Sequence, residues 1–379
     1  MKELAIFGST GSIGCSTLNV VRRHRDRFAV SILTAGRNLQ RLIEQIREFN
    51  PRHVYIIEEK DAAVLRELFP GLDIYRGEDG MDKVSRLTDF DIGVSALVGV
   101  AGLRPTWNMI NNGKTVALAN KEVLVAGGRL VMEAARKQGA ALLTVDSEHS
   151  AIMQCLRGEN HGEIERILLT ASGGPFFDRE ITDSIIPEEA LRHPTWKMGP
   201  KITIDSATMM NKGFEIIEAR WLFDVPVERV QVVIHRQSIV HSMVEFKDGS
   251  IMANIAPPDM ELPIAYALSY PERMEMPQRL DIFAMKALEF KAPDEEKFPC
   301  LRLAKEAARA GHGAQVVLNA ANEALVARFL AGGLRFTDIP RGVEEMLRQH
   351  TPGEPGSIDE VLALDEETRH RTEEWMKTR

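Results

Sequence analysis

The sequence predicts an α/β protein in three parts: a Rossmann-like doubly wound parallel sheet, a central α/β domain with an open sheet, and a C-terminal helical domain. Three observations predict it. Short apolar runs alternate with helical spacing through the first 146 residues, which is the signature of βαβ units. A tight-turn tripeptide, Lys247-Asp248-Gly249, then joins two strand-like runs, so that pair is antiparallel. After Pro299 the apolar residues recur at helical spacing to the end. The domains are placed at 1–146, 147–290 and 291–379.

In chain order, Leu4–Phe7, Ala29–Ala35, Val54–Ile57, Asp91–Leu97, Thr115–Ala119 and Ala141–Val145 are buried-strand runs. Ile13–Arg23, Leu39–Phe49 and Arg129–Gln138 between them have helical spacing. Ligands of such sheets sit at the carboxyl ends of the strands. Arg166–Thr170, Val230–His235, Ile239–Phe246 and Ser250–Ile255 form the second set of strands, whose open edge can pair across a dimer interface. Seven prolines between Pro257 and Pro299 predict an extended connector, with helix near Ala284–Leu288. Leu301–Ala310, Val316–Leu330, Val343–Arg348 and Glu366–Met376 are expected as amphipathic helices.

Composition narrows the function. Across 379 residues, 44% apolar and 27% charged is ordinary for a globular chain, and it excludes a disordered or collagen-like one. A net charge of −8 argues against nucleic acid or an anionic membrane as main partner. Cys15, Cys155 and Cys300 are too scattered for a disulfide framework or a zinc motif. No apolar run reaches the roughly 18 residues of a membrane span, and no signal-peptide core precedes the first glycines. The expectation is a cytoplasmic protein.

Gly8-Ser9-Thr10-Gly11-Ser12-Ile13-Gly14 follows the first strand and opens the first helix, where backbone N–H groups can approach a pyrophosphate. Its spacing is G-x-x-G-x-x-G, so position between strand and helix carries the inference. The second strand ends at Gly36-Arg37-Asn38. A carboxylate there would bind the ribose 2′-hydroxyl of NAD, whereas Arg37 suits a 2′-phosphate and predicts NADPH. A plain surface arginine is the alternative.

Asp146-Ser147-Glu148-His149 follows the strand Ala141–Val145, and Lys212-Gly213-Phe214-Glu215 adds a third acid. Hard oxygen donors of this kind suit Mg²⁺ or Mn²⁺. Read alone, such acids are more often helix caps or solvated groups. Asn211, Lys212 and Glu215 can share one helix face, for which the bland reading is a surface ion pair. Asn120, Lys121 and Glu122 close the fifth expected strand, pointing a lysine toward the cofactor crevice. Ser172, Ser206, Asn211 and Lys212 are donors suited to a phosphate. His193, Trp196, Met198 and Gly199 lie in a proline-bounded loop that can act as a lid, or can bury its tryptophan beneath itself.

Six of these segments (Gly8–Gly14, Ala119–Glu122, Val145–His149, Thr170–Phe176, His193–Gly199 and Asp205–Glu215), with Asn319–Glu323, together resemble the 1-deoxy-D-xylulose 5-phosphate reductoisomerase family, in order and over nearly the whole chain. The resemblance implies an NADPH-dependent homodimer of non-mevalonate isoprenoid synthesis. It makes Asp146, Glu148 and Glu215 ligands of Mg²⁺, Mn²⁺ or Co²⁺, with Lys121 and Ser147 at the reacting end of the substrate. Ser172, Ser206, Asn211 and Lys212 hold its phosphate, while His193, Trp196 and Met198 meet it from the lid. Thr10, Gly11, Ser12, Ile13, Gly36, Arg37, Asn38, Asn120, Glu122 and Gly199 line the cofactor site. In the family's account, carbon–carbon cleavage and rejoining gives a branched aldehyde that NADPH reduces. The family commonly has Lys where this chain has Arg37, and often Gly where it has Ala171. The rivals are an NADP-linked dehydrogenase of homoserine or semialdehyde type, the latter needing a nucleophile such as Cys155, and a non-catalytic NADP(H) sensor.

Overall fold

The computed structural model describes residues 1–285, 287–351 and 353–378. In chain order the strands are β1 (Lys2–Phe7), β2 (Phe28–Thr34), β3 (His53–Ile56), β4 (Asp73–Arg76), β5 (Ile92–Ser95), β6 (Thr115–Leu118), β7 (Leu142–Thr144), β8 (Ile164–Ala171), β9 (Val230–Ile234), β10 (Val240–Phe246) and β11 (Ile251–Ile255). The first helices are α1 (Ser12–Arg23), α2 (Leu39–Phe49), α3 (Glu59–Leu68), α4 (Gly77–Ser85), α5 (Leu103–Asn111), α6 (Glu122–Gln138) and α7 (Ser147–Cys155). They are followed by α8 (Pro187–Ala190), α9 (Pro200–Ala207), α10 (Met210–Phe223), α11 (Glu261–Ser269), α12 (Pro299–Ala310), α13 (His312–Leu330), α14 (Asp338–Gln349) and α15 (Ile358–Met376).

Contacts gather the chain into two compact units. One comprises Met1–Val123, Val131–Ser150 and Asp259–Pro277; the other comprises Leu124–Leu130, Ala151–Pro258 and Gln278–Arg379. The first unit holds a seven-stranded parallel sheet in the order β4-β3-β2-β1-β5-β6-β7. The order reverses at β1, with β2 on one side and β5 on the other, which makes a switch-point crevice at the carboxyl end of β1. Leu4, Ala5, Ile6 and Phe7 are wholly buried, as a strand covered on both faces requires. The expected strands are present with ends shifted by a residue or two. β4 escaped the sequence reading because it is a four-residue edge strand, Asp-Ile-Tyr-Arg, with charged ends and no buried residue. Asn120 and Lys121 therefore follow the sixth strand rather than the fifth.

The proline-rich connector is not extended throughout. Glu261–Ser269 forms α11, whose Ile264, Ala265, Tyr266, Ala267 and Leu268 are buried. Pro263 lies in its first turn, where a missing N–H costs nothing. Glu261 accepts from Asn19 of α1 at 2.9 Å and pairs with Arg23, which ties this segment to the first unit. The helix expected near Ala284–Leu288 is absent: Ile282–Ala284 makes one 3₁₀ turn, the flanking described residues are irregular, and Lys286 lies outside the described residues.

The second unit contains a four-stranded sheet in the order β11-β10-β8-β9. The β10–β11 hairpin is antiparallel as expected, but β8 and β9 run parallel, so the sheet is mixed. Four C-terminal helices complete the unit. One of them departs in part from the amphipathic reading: the first half of α13 buries Val316, Val317, Leu318, Asn319, Ala320, Ala321 and Asn322 in succession, whereas its last turns expose Ala327 and Arg328 opposite the buried Leu325, Val326 and Phe329. Asn319–Glu323 has a positioning role there. Asn322 donates to the buried Asp205 of α9 at 2.8 Å, and Glu323 pairs with Arg369 of α15 at 2.7 Å. No described helix is long and apolar enough to cross a membrane.

Candidate active site

The loop after β1 is held by its own glycines. Gly8 sits at φ +94°, and a Cβ there would lie 2.5 Å from Ala96 O at the end of β5. A Cβ on Gly14 would lie 2.3 Å from Gly8 O, so α1 can turn back over the loop only without a side chain. Below the loop, Thr34 Oγ1 accepts from Gly8 N at 2.9 Å, and Gln45 Nε2 donates to the buried Ser9 O at 2.9 Å. Helix α1 starts after Gly11 with no side-chain cap and no acid in its first turn. Its amino end is thereby suited to an anion.

After β2, Arg37 is exposed, in keeping with either reading made of it. Asn38 Oδ1 accepts from Arg41 N at 3.2 Å and caps α2, a structural role that sequence reasoning did not assign. Arg41 was also missed: its Nη1 donates to Thr10 O at 3.2 Å and links the loop after β1 to the start of α2. Its position one helical turn after Arg37 was the available signal. Asn120 is 2% exposed, and its amide donates to Leu97 O at 2.7 Å and Gly99 O at 2.9 Å. That side chain shapes the crevice wall.

Lys121 and Asp146 are a nearly buried pair, with Nζ donating to Oδ2. Asp146 Oδ1 also accepts from Glu148 N at 3.2 Å and His149 N at 3.3 Å, which makes it the cap of α7. The turn at this helix start, rather than an extended backbone, sets Asp146 and Glu148 close together. The hydroxyl of Ser147 donates to Glu148. Helix capping and ligation are thus compatible in one residue.

Glu215 is 1% exposed and accepts from Asn211 Nδ2 at 2.7 Å and from Lys212 Nζ, itself 4% exposed. The surface-ion-pair reading fails on this burial. A buried carboxylate and ammonium are costly to desolvate, so the pair is not explained as a stabilising device. The segment Asp205–Glu215 is two helices, not one. They break at Thr208 and Met209, with Met209 at φ +63°. Gly213 does serve a close approach, because a Cβ would lie 2.4 Å from Ala304 Cβ of α12.

One carboxylate oxygen from each of Asp146, Glu148 and Glu215 lies within 4.8 Å of the other two. Three hard anionic oxygens at that spacing fit Mg²⁺ or Mn²⁺, and no thiolate or imidazole in the set favours a softer ion.

The phosphate candidates sit on three elements of the second unit. Gly173 (φ +79°) and Gly174 (φ +67°) form the turn after β8, and a Cβ on Gly174 would lie 2.6 Å from Ser206 O. This contact brings the Ser172 turn against α9. Asn211 and Lys212 occupy the first turn of α10. Ser172 Oγ accepts from Gly174 N at 3.2 Å and lies 3.0 Å from His193 Nε2. His193 Nδ1 accepts from Thr195 N at 3.2 Å and Trp196 N at 2.9 Å. That fixes the tautomer: the ring proton is on Nε2, which donates to Ser172. Trp196 is half-buried over the loop, its ring 6.4 Å from that of His241, and Met198 is half-buried as well. Gly199 caps α9 and is exposed, with open space around it. Cys155 is no nucleophile, since burial pushes its thiol up to about 11.

A switch-point crevice with an anion-ready helix start, together with a trio of hard carboxylates, defines the class: a dinucleotide-linked, metal-dependent oxidoreductase. Comparison with known proteins gives the particular kind. The profile of 1-deoxy-D-xylulose 5-phosphate reductoisomerase matches residues 4–128, and that of its C-terminal domain matches residues 142–223. A further DXP reductoisomerase C-terminal domain profile matches residues 255–371. The chain is 52% identical to the 1-deoxy-D-xylulose 5-phosphate reductoisomerase of Prosthecochloris aestuarii, over 96% of this chain and 97% of the relative. It is 48% identical to that of a Geobacillus species, over 97% and 98%. Among solved structures, a DOX-P reductoisomerase in complex with NADPH, fosmidomycin and magnesium superposes with a TM-score of 0.95 at 40% identity, covering 100% of this chain and 98% of that one. The Zymomonas mobilis enzyme in complex with NADPH gives 0.92 at 42%, covering 100% of both. The chain belongs to the 1-deoxy-D-xylulose 5-phosphate reductoisomerase family.

Proposed function

We propose that this chain converts 1-deoxy-D-xylulose 5-phosphate to 2-C-methyl-D-erythritol 4-phosphate with NADPH and a divalent metal, in non-mevalonate isoprenoid synthesis. The observation that carries this is the carboxylate trio of Asp146, Glu148 and Glu215, in a chain that matches its family over nearly full length.

The three acids would hold Mg²⁺, Mn²⁺ or Co²⁺, whose chemistry here is to polarise a substrate carbonyl, and NADPH supplies the hydride. The remaining roles fall to side chains. Lys121 pairs with Asp146 and offers a cation to negative charge that develops on substrate oxygen. Ser147 orients Glu148 and meets the substrate's hydroxyl end. Ser172, Ser206, Asn211 and Lys212 grip the phosphate, and this remote binding energy orders the reacting end. His193, through the Nε2 proton, ties the lid to Ser172, while Trp196 and Met198 exclude water. Thr10, Gly11, Ser12 and Ile13 receive the pyrophosphate at the start of α1, and Gly36, Arg37 and Asn38 receive the 2′-phosphate end. Asn120, Glu122 and Gly199 complete the cofactor wall.

By role, residues 1–146 bind NADPH, 147–290 carry catalysis and the dimer contact, and 291–379 form the helical support. The chain acts as a cytoplasmic homodimer. Exposed Ile251, Met252 and Ile255 along the outer strand β11 support the edge of the second sheet as the surface that pairs.

The test is NADPH oxidation, followed by absorbance, with 1-deoxy-D-xylulose 5-phosphate and Mg²⁺, then with EDTA. Oxidation that requires both substrate and metal is expected. Oxidation that persists after chelation, or none with this substrate, refutes the reading.

A further inference from the structure

One arginine that no part of the proposed chemistry uses lies directly behind the phosphate turn. Strands β8 and β9 run parallel with Ala171 opposite Ile234, so they end level and release Ser172 and Arg236 at the same edge of the sheet. His235 N still donates to Ala171 O at 2.7 Å, which carries the pairing one residue further and delivers Arg236 to the turn. There its Nη1 donates to Ser172 O at 2.9 Å and to Gly174 O at 2.7 Å. A single guanidinium nitrogen thus spans the Ser172-Gly173-Gly174 turn.

That turn needs holding. Both of its glycines occupy left-handed backbone and have many alternative conformations available. The C=O and N–H of one trans peptide point in opposite directions. Pinning Ser172 O therefore turns Gly173 N–H to the opposite face of the turn. Gly174 O is pinned too, at the far end of the turn, and between the two anchors Gly174 N donates to Ser172 Oγ, the oxygen that also meets His193. Elsewhere the guanidinium lies 5.8 Å from the centre of the Phe177 ring, and 3.5 Å from Asp178, which is too exposed to hold it strongly.

We infer that Arg236 is a positioning residue for the substrate's phosphate: it locks the turn that presents Ser172 and sets a second cation behind the site, in addition to Lys212. This rests on the reading of Ser172 as a phosphate donor.

The experiment compares the full-length wild type with Arg236→Ala and Arg236→Lys. For each, kcat and KM are measured for 1-deoxy-D-xylulose 5-phosphate, with KM for NADPH and the Ki of inorganic phosphate as competitor. Arg236→Ala should raise the sugar-phosphate KM and the phosphate Ki about tenfold each, as loss of charge-assisted hydrogen bonds implies. The NADPH KM should not move, and kcat should stay within about threefold. Arg236→Lys, which keeps the charge but not the planar fork, should recover part of the loss. An unchanged phosphate Ki in either folded variant overturns the inference, as does an equal loss toward both substrates. If Arg236→Ala does not fold, the Ki of Arg236→Lys decides alone, and a wild-type value overturns it. A wild type that fails to oxidise NADPH with this substrate would instead refute the function, before any variant is made.

Discussion

Two glycine turns, each at the carboxyl end of a strand with a parallel partner, are suited to anions by different means. After β1, the chain enters α1 at once, and the helix's own N–H groups and dipole supply the positive end. After β8, no helix follows directly, and α8 begins only at Pro187. The Ser172–Gly174 turn instead lies against α9, and α10 contributes the neighbouring Asn211 and Lys212. The first turn carries its anion-facing groups within a dozen residues, with Thr34 and Gln45 bracing it from below. The second is assembled from segments up to forty residues apart, and its key cation, Lys212, is buried against Glu215. A cofactor pyrophosphate can be met by backbone alone, whereas a site that grips one particular small substrate draws on side chains fixed by tertiary packing.

The sharpest way to break this contrast is Glu215→Gln. Loss of one of three metal ligands should abolish turnover, while NADPH binding, served by the other turn, stays near wild type. Steady-state assay with a fluorescence titration of NADPH checks both. Wild-type activity at saturating Mn²⁺ would contradict the assignment. Next in size is Lys212→Met, which removes the phosphate cation and leaves Glu215 buried without it. The KM for the sugar phosphate should rise by the equivalent of about 2–5 kcal/mol, with no matching rise for NADPH. A KM within twofold of wild type would argue against the grip.

On the cofactor side, Arg37→Asp should shift the ratio of kcat/KM for NADPH over NADH by about ten- to a hundredfold toward NADH, the worth of charge-assisted bonds to the 2′-phosphate. An unchanged ratio would leave Arg37 as surface. The smallest effect is that of Asn38→Ala, which removes the α2 cap. It should cost about 1 kcal/mol in urea unfolding, and no loss would show that the Arg41 N–H is satisfied otherwise.

The same contrast explains what could be read before folding. The β1 turn was legible because its glycines, strand and helix are contiguous, and Gly14 has a steric necessity that a sequence pattern reports. The three acids were visible as residue types. Their partnership came only from resemblance, since i, i+3 spacing cannot distinguish an exposed Lys212–Glu215 pair from a buried one. Helix α11 was hidden by a proline that its first turn tolerates, and β4 by the polar ends of a short edge strand. The break at Met209 carried no glycine or proline to announce it. Arg236 was invisible because its function depends on strand register, which no local pattern encodes.

The account depends most on a single shared ion. Crystals grown with Mn²⁺ and 1-deoxy-D-xylulose 5-phosphate, measured for anomalous scattering, test it directly. The expected result is one manganese peak bonded to an oxygen from each of Asp146, Glu148 and Glu215. A peak that engages other side chains, or no peak beside these acids in crystals of active enzyme, would contradict it.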